Sequence, residues 1–299
     1  MIRTNLEKYE NYGKVINITD GVCEAKVTLD LGPRVIYFAR VGKKNMFFND
    51  LQRKTNCEKP EMDAYYGKGR YWYLYGGYRL WLSPEALPET YYPDNDPVDY
   101  VTDGDKVTFI PKMQKENGLQ FSYSLHFLGN GTVKIKNVIK NLSENIVRGA
   151  AWSLCVMNKN SFTYAYQNDA DTGLLPNRTV VLWPYTKIDD HRLRITDRVI
   201  AVRQDPSSDR ALKVGFNNTS GRIMTYLDGE LFTQTYNTCH GICDYPDGGC
   251  SCEIYSCPDF TEAETISPLE TLFPGAHMEF ELEWHIEKAP VCINGIEDI

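Results

Sequence analysis

Long apolar runs are missing from this chain. No stretch approaches the roughly 20 residues that a membrane-spanning helix needs. The N-terminal MIRTNLEKYENYGK has no apolar segment of the kind a secretion signal carries. The expected location is therefore cytoplasmic, with no membrane partner. Clusters of Lys and Arg are missing too, and the formal net charge of −8 argues against nucleic acid as a partner. No P-loop, GxGxxG, nucleophile elbow or HExxH occurs, so nucleotide and serine-hydrolase chemistry lack support and no cofactor is expected. Amphipathic patterns of helical length are absent, as are linkers that would divide the 299 residues. Histidine is scarce, at five residues, His126, His191, His240, His277 and His285.

What is abundant is β-forming sequence. The 20 Tyr and 12 Phe, with many Val, Ile and Thr, favour strands. Asp20-Gly21, Asn117-Gly118 and Gly129-Asn130-Gly131 separate alternating runs and read as hairpin turns. Further strands are expected in 35–41, 146–157 and the runs TVVLWPYT, RVIAVRQD, LKVGFNN, RIMTYLDG and ELFTQTYN. Residues 49–70 and 86–97 read as loops. Roughly fifteen to twenty short strands predict an all-β fold, a large sandwich or barrel over 1–299 as one domain. An edge of such a sheet could pair with a second copy as a homodimer.

The stretch from Tyr245 to His285 holds the sharpest site candidate. Pro246-Asp247-Gly248-Gly249 predicts a turn, and a strand follows with Cys250, Cys252 and Ile254 on one side and Ser251, Glu253 and Tyr255 on the other. Upstream, GGYRLWLSPE offers Arg79, Trp81 and Glu85. A Trp face stacks on the apolar face of a pyranose while Arg and Glu take its hydroxyls; the plainer reading is a core Trp with a surface ion pair. Gly76-Gly77 lets the backbone approach something closely. Arg148, Trp152 and Lys213 stand in apolar strands, where a charge must be paired. His240 precedes the Tyr245–Asp247 turn and is the best titrating partner for Glu253. The Cys239–Cys257 cluster matches no zinc spacing. No metal is expected, and the nine cysteines read as reduced thiols.

LGPRVIYFARVGKKNMFF resembles the opening strands of galactose mutarotase-like (aldose epimerase superfamily) proteins. YGGYRLWLSPE resembles the Gly-Gly-His-Arg-Leu-Trp-x-x-Pro-Glu/Gln segment of an uncharacterised branch of that superfamily. AAWSL, WPYT, LKVGFNN, YPDGGCSCEIYS and ETISPLETLFPG follow in the same order, so the resemblance spans nearly the whole chain. It implies a β supersandwich with a carbohydrate on its concave sheet face, Arg34, Tyr78, Arg79, Trp81, Glu85, Arg148, Trp152, Lys213 and Asp247 being the candidate contacts. SCEIYSCPDF is similar to the stretch that carries the catalytic base in mutarotases, which implies Glu253 in that role. The departures are Trp152 where a catalytic histidine belongs and Tyr78 where the branch has histidine. His240, Lys213 and Tyr78 stay open as the general acid. Three functions follow: an aldose 1-epimerase-like isomerase, a non-catalytic sugar-binding or sensing domain, and a lyase whose Arg34, Arg79, Arg148 and Lys213 hold an acidic sugar.

Overall fold

The hairpin turns read from the sequence lie where expected. Gly21, Gly118, Gly129, Asn130 and Gly131 all take positive φ, and the Asp20 carboxylate caps its turn by accepting from the Val22 and Cys23 amides. The structure is a computed structural model that describes residues 1–239, 244–293 and 298. Two large antiparallel sheets dominate it. The first runs in the order Arg3–Lys8, Lys14–Thr19, Cys23–Thr28, Val35–Arg40, Gly77–Ser83, Val147–Met157, Thr261–Ile266, Cys252–Ser256, Leu212–Phe216 and Val180–Leu182, with Glu270–Leu272 beside the sixth strand. The second runs Leu193–Ile195, Val199–Arg203, Phe162–Tyr166, Arg222–Leu227, Glu230–Tyr236, His277–Lys288, Thr132–Asn141, Leu119–Gly129, Lys106–Ile110 and Asp99–Asp103. The expected β sandwich is the fold.

One apolar core lies between the sheets and draws on both. Trp284 is fully buried there against Phe38, Phe47, Tyr78 and Phe232. The strands contribute alternate residues, because successive side chains point to opposite faces. Thus Tyr78 and Leu80, Ala151 and Cys155, Cys252 and Ile254, Ala263, and Leu212 and Val214 enter this core. The second sheet turns charged pairs such as Lys134–Glu281 and Lys136–Glu279 outward.

The first sheet is buried on its outer face as well. A second apolar cluster there joins Trp81, Trp152, Leu154 and Ile266 to Cys57, Met62, Tyr66 and Trp72. The latter four come from residues 49–75, which hold a short strand, Asn56–Cys57, and a helix, Pro60–Tyr66. Sequence reading made residues 49–70 of it a loop. Seven residues are too few for a helical period to register, and Met62 and Tyr66 are the only ones the helix buries. The segment reaches the sheet through Gly76 and Gly77, both at positive φ. A Cβ at Gly76 would stand 2.0 Å from the Phe48 carbonyl oxygen, and one at Gly77 2.2 Å from that of Val35. The close approach expected of this pair is to backbone. Trp183 and Tyr185, read as strand, lie in a turn beyond Val180–Leu182.

Of the cysteines, Cys23, Cys57, Cys155, Cys250, Cys252 and Cys257 are thiols. Cys239 is disulfide-bonded, which corrects the expectation of reduced thiols throughout. Among the described residues no helix is long and apolar enough to cross a membrane.

Candidate functional site

The outward-facing residues of five adjacent strands build the site. Gly77–Ser83 supplies Arg79 and Trp81, Val147–Met157 supplies Trp152 and Leu154, Thr261–Ile266 supplies Glu262 and Glu264, Cys252–Ser256 supplies Glu253 and Tyr255, and Leu212–Phe216 supplies Lys213. Register decides who meets whom. Arg79 pairs with Leu154, which pairs with Glu264, which lies directly opposite Glu253. Lys213 opposes Tyr255, one diagonal step from Glu253.

Two adjoining recesses of about 330 and 480 Å³ open over these side chains, within the ordinary size of small-molecule sites. They share Asn56, Glu85, Tyr91, Trp152 and Lys213. Trp72, Trp81 and Trp152 are buried and form the floor; Trp183, Tyr185 and Tyr91 stand more exposed as walls. The Arg79 guanidinium lies 4.2 Å from the Trp81 ring centre and donates to Glu262 at 2.9 Å. Its Nε and Nη1 are buried without a hydrogen-bond partner.

Lys213 is the centre of charge. Its ammonium meets Glu253 at 2.7 Å as an ion pair and donates to Glu264 at 3.1 Å. It lies 4.7 and 4.8 Å from the ring centres of Trp152 and Trp183. The Trp152 indole N–H donates to the same Glu264 oxygen at 2.8 Å. Both carboxylates are completely buried. Burial raises Glu264 well above the ordinary carboxylate range, and the ammonium only partly opposes this; Glu253 is raised for the same reason. Burial works against the Lys213 charge, but the two carboxylates more than reverse it and hold the ammonium well above the usual lysine value. Two carboxylates around one ammonium leave one negative charge over, and a dry interior disfavours it. The cluster therefore favours one proton shared between Glu253 and Glu264.

Six of the residues singled out in the sequence converge on the recesses: Arg79, Trp81, Glu85, Trp152, Lys213 and Asp247. Glu85 accepts from the Tyr91 hydroxyl, and Asp247 from Ser83. Glu253 stands behind Lys213 and lines neither recess. Tyr78 lies on the opposite face of its strand, in the core, with its hydroxyl on Asn137. It is one residue out of phase with Arg79. Arg34 is paired with Asp94 elsewhere, and Arg148 is half exposed and paired with Asp244. These positions correct the expectation that all would line one surface. His240 lies outside the described residues. Sequence reading passed over Glu262, Glu264, Trp183 and Tyr185. The alternation Glu262-Ala263-Glu264-Thr265 was the available signal for the first two.

No family model matches the sequence, and no curated relative does. Solved structures do match. A TPR-domain containing protein from Parabacteroides distasonis superposes with a TM-score of 0.61 at 13% identity, over 95% of this chain and 48% of that one. This chain thus spans about half the length of that protein. A putative aldose 1-epimerase from Klebsiella pneumoniae gives 0.60 at 10% identity, over 95% of this chain and 83% of that one. A galactose mutarotase-like protein from Lactobacillus casei gives 0.57 at 9%, over 91% and 100%. The fold is galactose mutarotase-like. At these identities the likeness extends to the β supersandwich and not to any residue's role.

Proposed function

We propose that the outer-face cleft binds a carbohydrate. The observation that carries this is the convergence of Arg79, Glu85, Glu262 and Lys213 with the walls Tyr91, Trp183 and Tyr185 on two adjoining recesses that share Glu85, Tyr91 and Lys213. Aromatic walls suit the C–H faces of a sugar ring, and fixed charged groups suit its hydroxyls. The names borne by structures of this fold, aldose 1-epimerase and galactose mutarotase-like protein, support the same ligand class. The lyase reading draws less support, because Arg34 and Arg148 line neither recess and pair with Asp94 and Asp244, while Arg79 and Lys213 already face Glu262, Glu253 and Glu264.

Interconversion of anomers is the second reading, favoured by the proton-holding carboxyls beside the cleft. Mutarotation takes a proton from the anomeric hydroxyl and delivers one to the ring oxygen as the C1–O5 bond opens. Glu253, the base that the resemblance implies, is screened by Lys213. Glu262 lines the cleft, as Glu85 and Asp247 do, and is the carboxylate we assign as acceptor. Lys213 is the donor, resupplied from the proton held by Glu253 and Glu264 behind it.

Calorimetry against a panel of neutral and acidic sugars, with NMR exchange between anomers, tests both readings. Binding is expected to weaken tenfold or more in Trp183→Ala. If no sugar binds, the cleft is not a carbohydrate site. If sugars bind without faster anomer exchange, or if Glu262→Gln exchanges at the wild-type rate, the catalytic assignment falls and sugar binding stands.

A further inference from the structure

Arg34 has no part in the cleft, yet it is no ordinary surface arginine. It is 2% exposed at the point where the first sheet splits. The Val35–Arg40 and Gly77–Ser83 strands are bridged only at Val35–Tyr78, and beyond that bridge they part. A chamber of about 50 Å³ fills the gap and reaches in between the sheets. Pro33, Tyr92 and Phe121 supply apolar walls, Arg34, Asp94 and Tyr123 its buried polar groups, and Asp96, Lys112 and Gln114 stand among its lining.

These polar groups are unfinished. The Arg34 Nη1 is used, on Asp94 and on the Pro33 carbonyl. Its Nε and Nη2, the Tyr123 hydroxyl and the Asp94 Oδ1 are all buried with no hydrogen-bond partner. Buried polar atoms rarely stay unpaired, because each orphan forfeits its hydration. The set has a definite complement. Nε and Nη2 form the parallel donor edge of a guanidinium, which accommodates two oxygens side by side. The Tyr123 hydroxyl adds a donor, and Asp94 asks for one donated proton. Charge narrows the choice. Arg34 and Lys112 balance Asp94 and Asp96, so an anion would enter without a counter-charge and against the free Asp94 oxygen. The occupant is neutral, offers two adjacent oxygens and gives back one O–H. At roughly 10–15 Å³ per water-sized group, the chamber admits about four such groups. Two hydroxyls and the carbons that bear them are four.

We infer that this chamber is a second binding site, taking the vicinal hydroxyl pair of a neutral polyol or sugar through Arg34, Tyr123 and Asp94. It is independent of what the outer-face cleft binds.

The test is ligand-observed NMR titration of the full chain with glycerol, mannitol and, as an anion control, acetate. The two polyols are expected to bind, and Tyr123→Phe to weaken them about three- to tenfold, the loss of one hydrogen bond. That variant breaks no bond of the unliganded fold, so its Tm should hold or rise. Arg34→Met should abolish binding; if it does not fold, Tyr123→Phe decides alone. Trp183→Ala, in the outer-face cleft, should leave the Tyr123-sensitive binding intact. Polyols that do not bind, or that bind Tyr123→Phe as tightly as wild type, overturn the inference and leave the chamber to water. Acetate binding more tightly than either polyol overturns it in favour of an anion site.

Discussion

Replacing Lys213 by Met removes the charge from between two buried carboxylates while keeping the length of the side chain. Breaking a buried ion pair on one side costs about 3–5 kcal/mol when the partner stays charged. Unfolding entropy of about 2.1 cal/mol/K per residue, over 299 residues, is about 0.6 kcal/mol/K, so the loss in Tm should be roughly 5–8 °C. The sign of its pH dependence follows from the directions of shift. Lys213 is held above its ordinary value, so its contribution is complete at neutral pH and would be lost only as pH rises through the still higher folded value. Glu253 and Glu264 are raised by burial and pulled down by the ammonium. Without the ammonium they rise further and fold readily as neutral acids. The penalty is therefore small near the ordinary glutamate value of 4.5 and opens as pH climbs above it. Thermal unfolding of wild type and Lys213→Met at about pH 4.5 and about pH 8 should show a gap that is wide only at the higher pH. Adding Glu264→Gln to Lys213→Met should recover part of the loss, since one stranded carboxylate is gone. A gap that is the same at both pH values, or absent at the higher one, refutes the shared-proton account of this cluster.

Two further outcomes follow from the packing. Gly77→Ala puts a Cβ 2.2 Å from the Val35 carbonyl at a φ of +69°, so it should cost at least about 2 kcal/mol, read as a lower denaturant midpoint with unchanged slope. Tyr78→Phe leaves the buried Asn137 oxygen without its partner and should cost about 1–3 kcal/mol. Sugar binding in the cleft should be untouched, because Tyr78 faces the core; lost binding there with an unchanged Tm would contradict the strand's register.

The alternation in Cys252-Glu253-Ile254-Tyr255 was readable as two faces, and the faces are real. Which face meets water was not readable. An alternating acidic strand ordinarily turns its acids to solvent, yet Glu253 and Glu264 are fully buried, with Lys213 against both and the Trp152 indole against Glu264, while residues 49–75 fold back over the neighbouring strands of the same face. That covering segment has no periodicity to betray it. Arg79 and Trp81 were found together because they sit two apart on one strand and so share a face. Tyr78 joined them only through the resemblance, and a period of two turns it to the opposite face. Arg34 was read as a ligand contact, but it is a buried charge whose partner, Asp94, lies 60 residues on and is joined to it only by tertiary folding.

Local chemistry was enough to specify strands, turns and the all-β class, since hairpin turns and period-two alternation act over a few residues. It also marked Lys213 and Arg148 as charges that had to be paired. Their partners came from register and from long-range closure. Glu253 meets Glu264 because two neighbouring strands align in one register and no other, and Glu262 reaches the cleft while Glu253 does not, because Lys213 stands in front of the latter. Distances between strands remote in sequence are set by how two sheets pack, and no short stretch of residues encodes that.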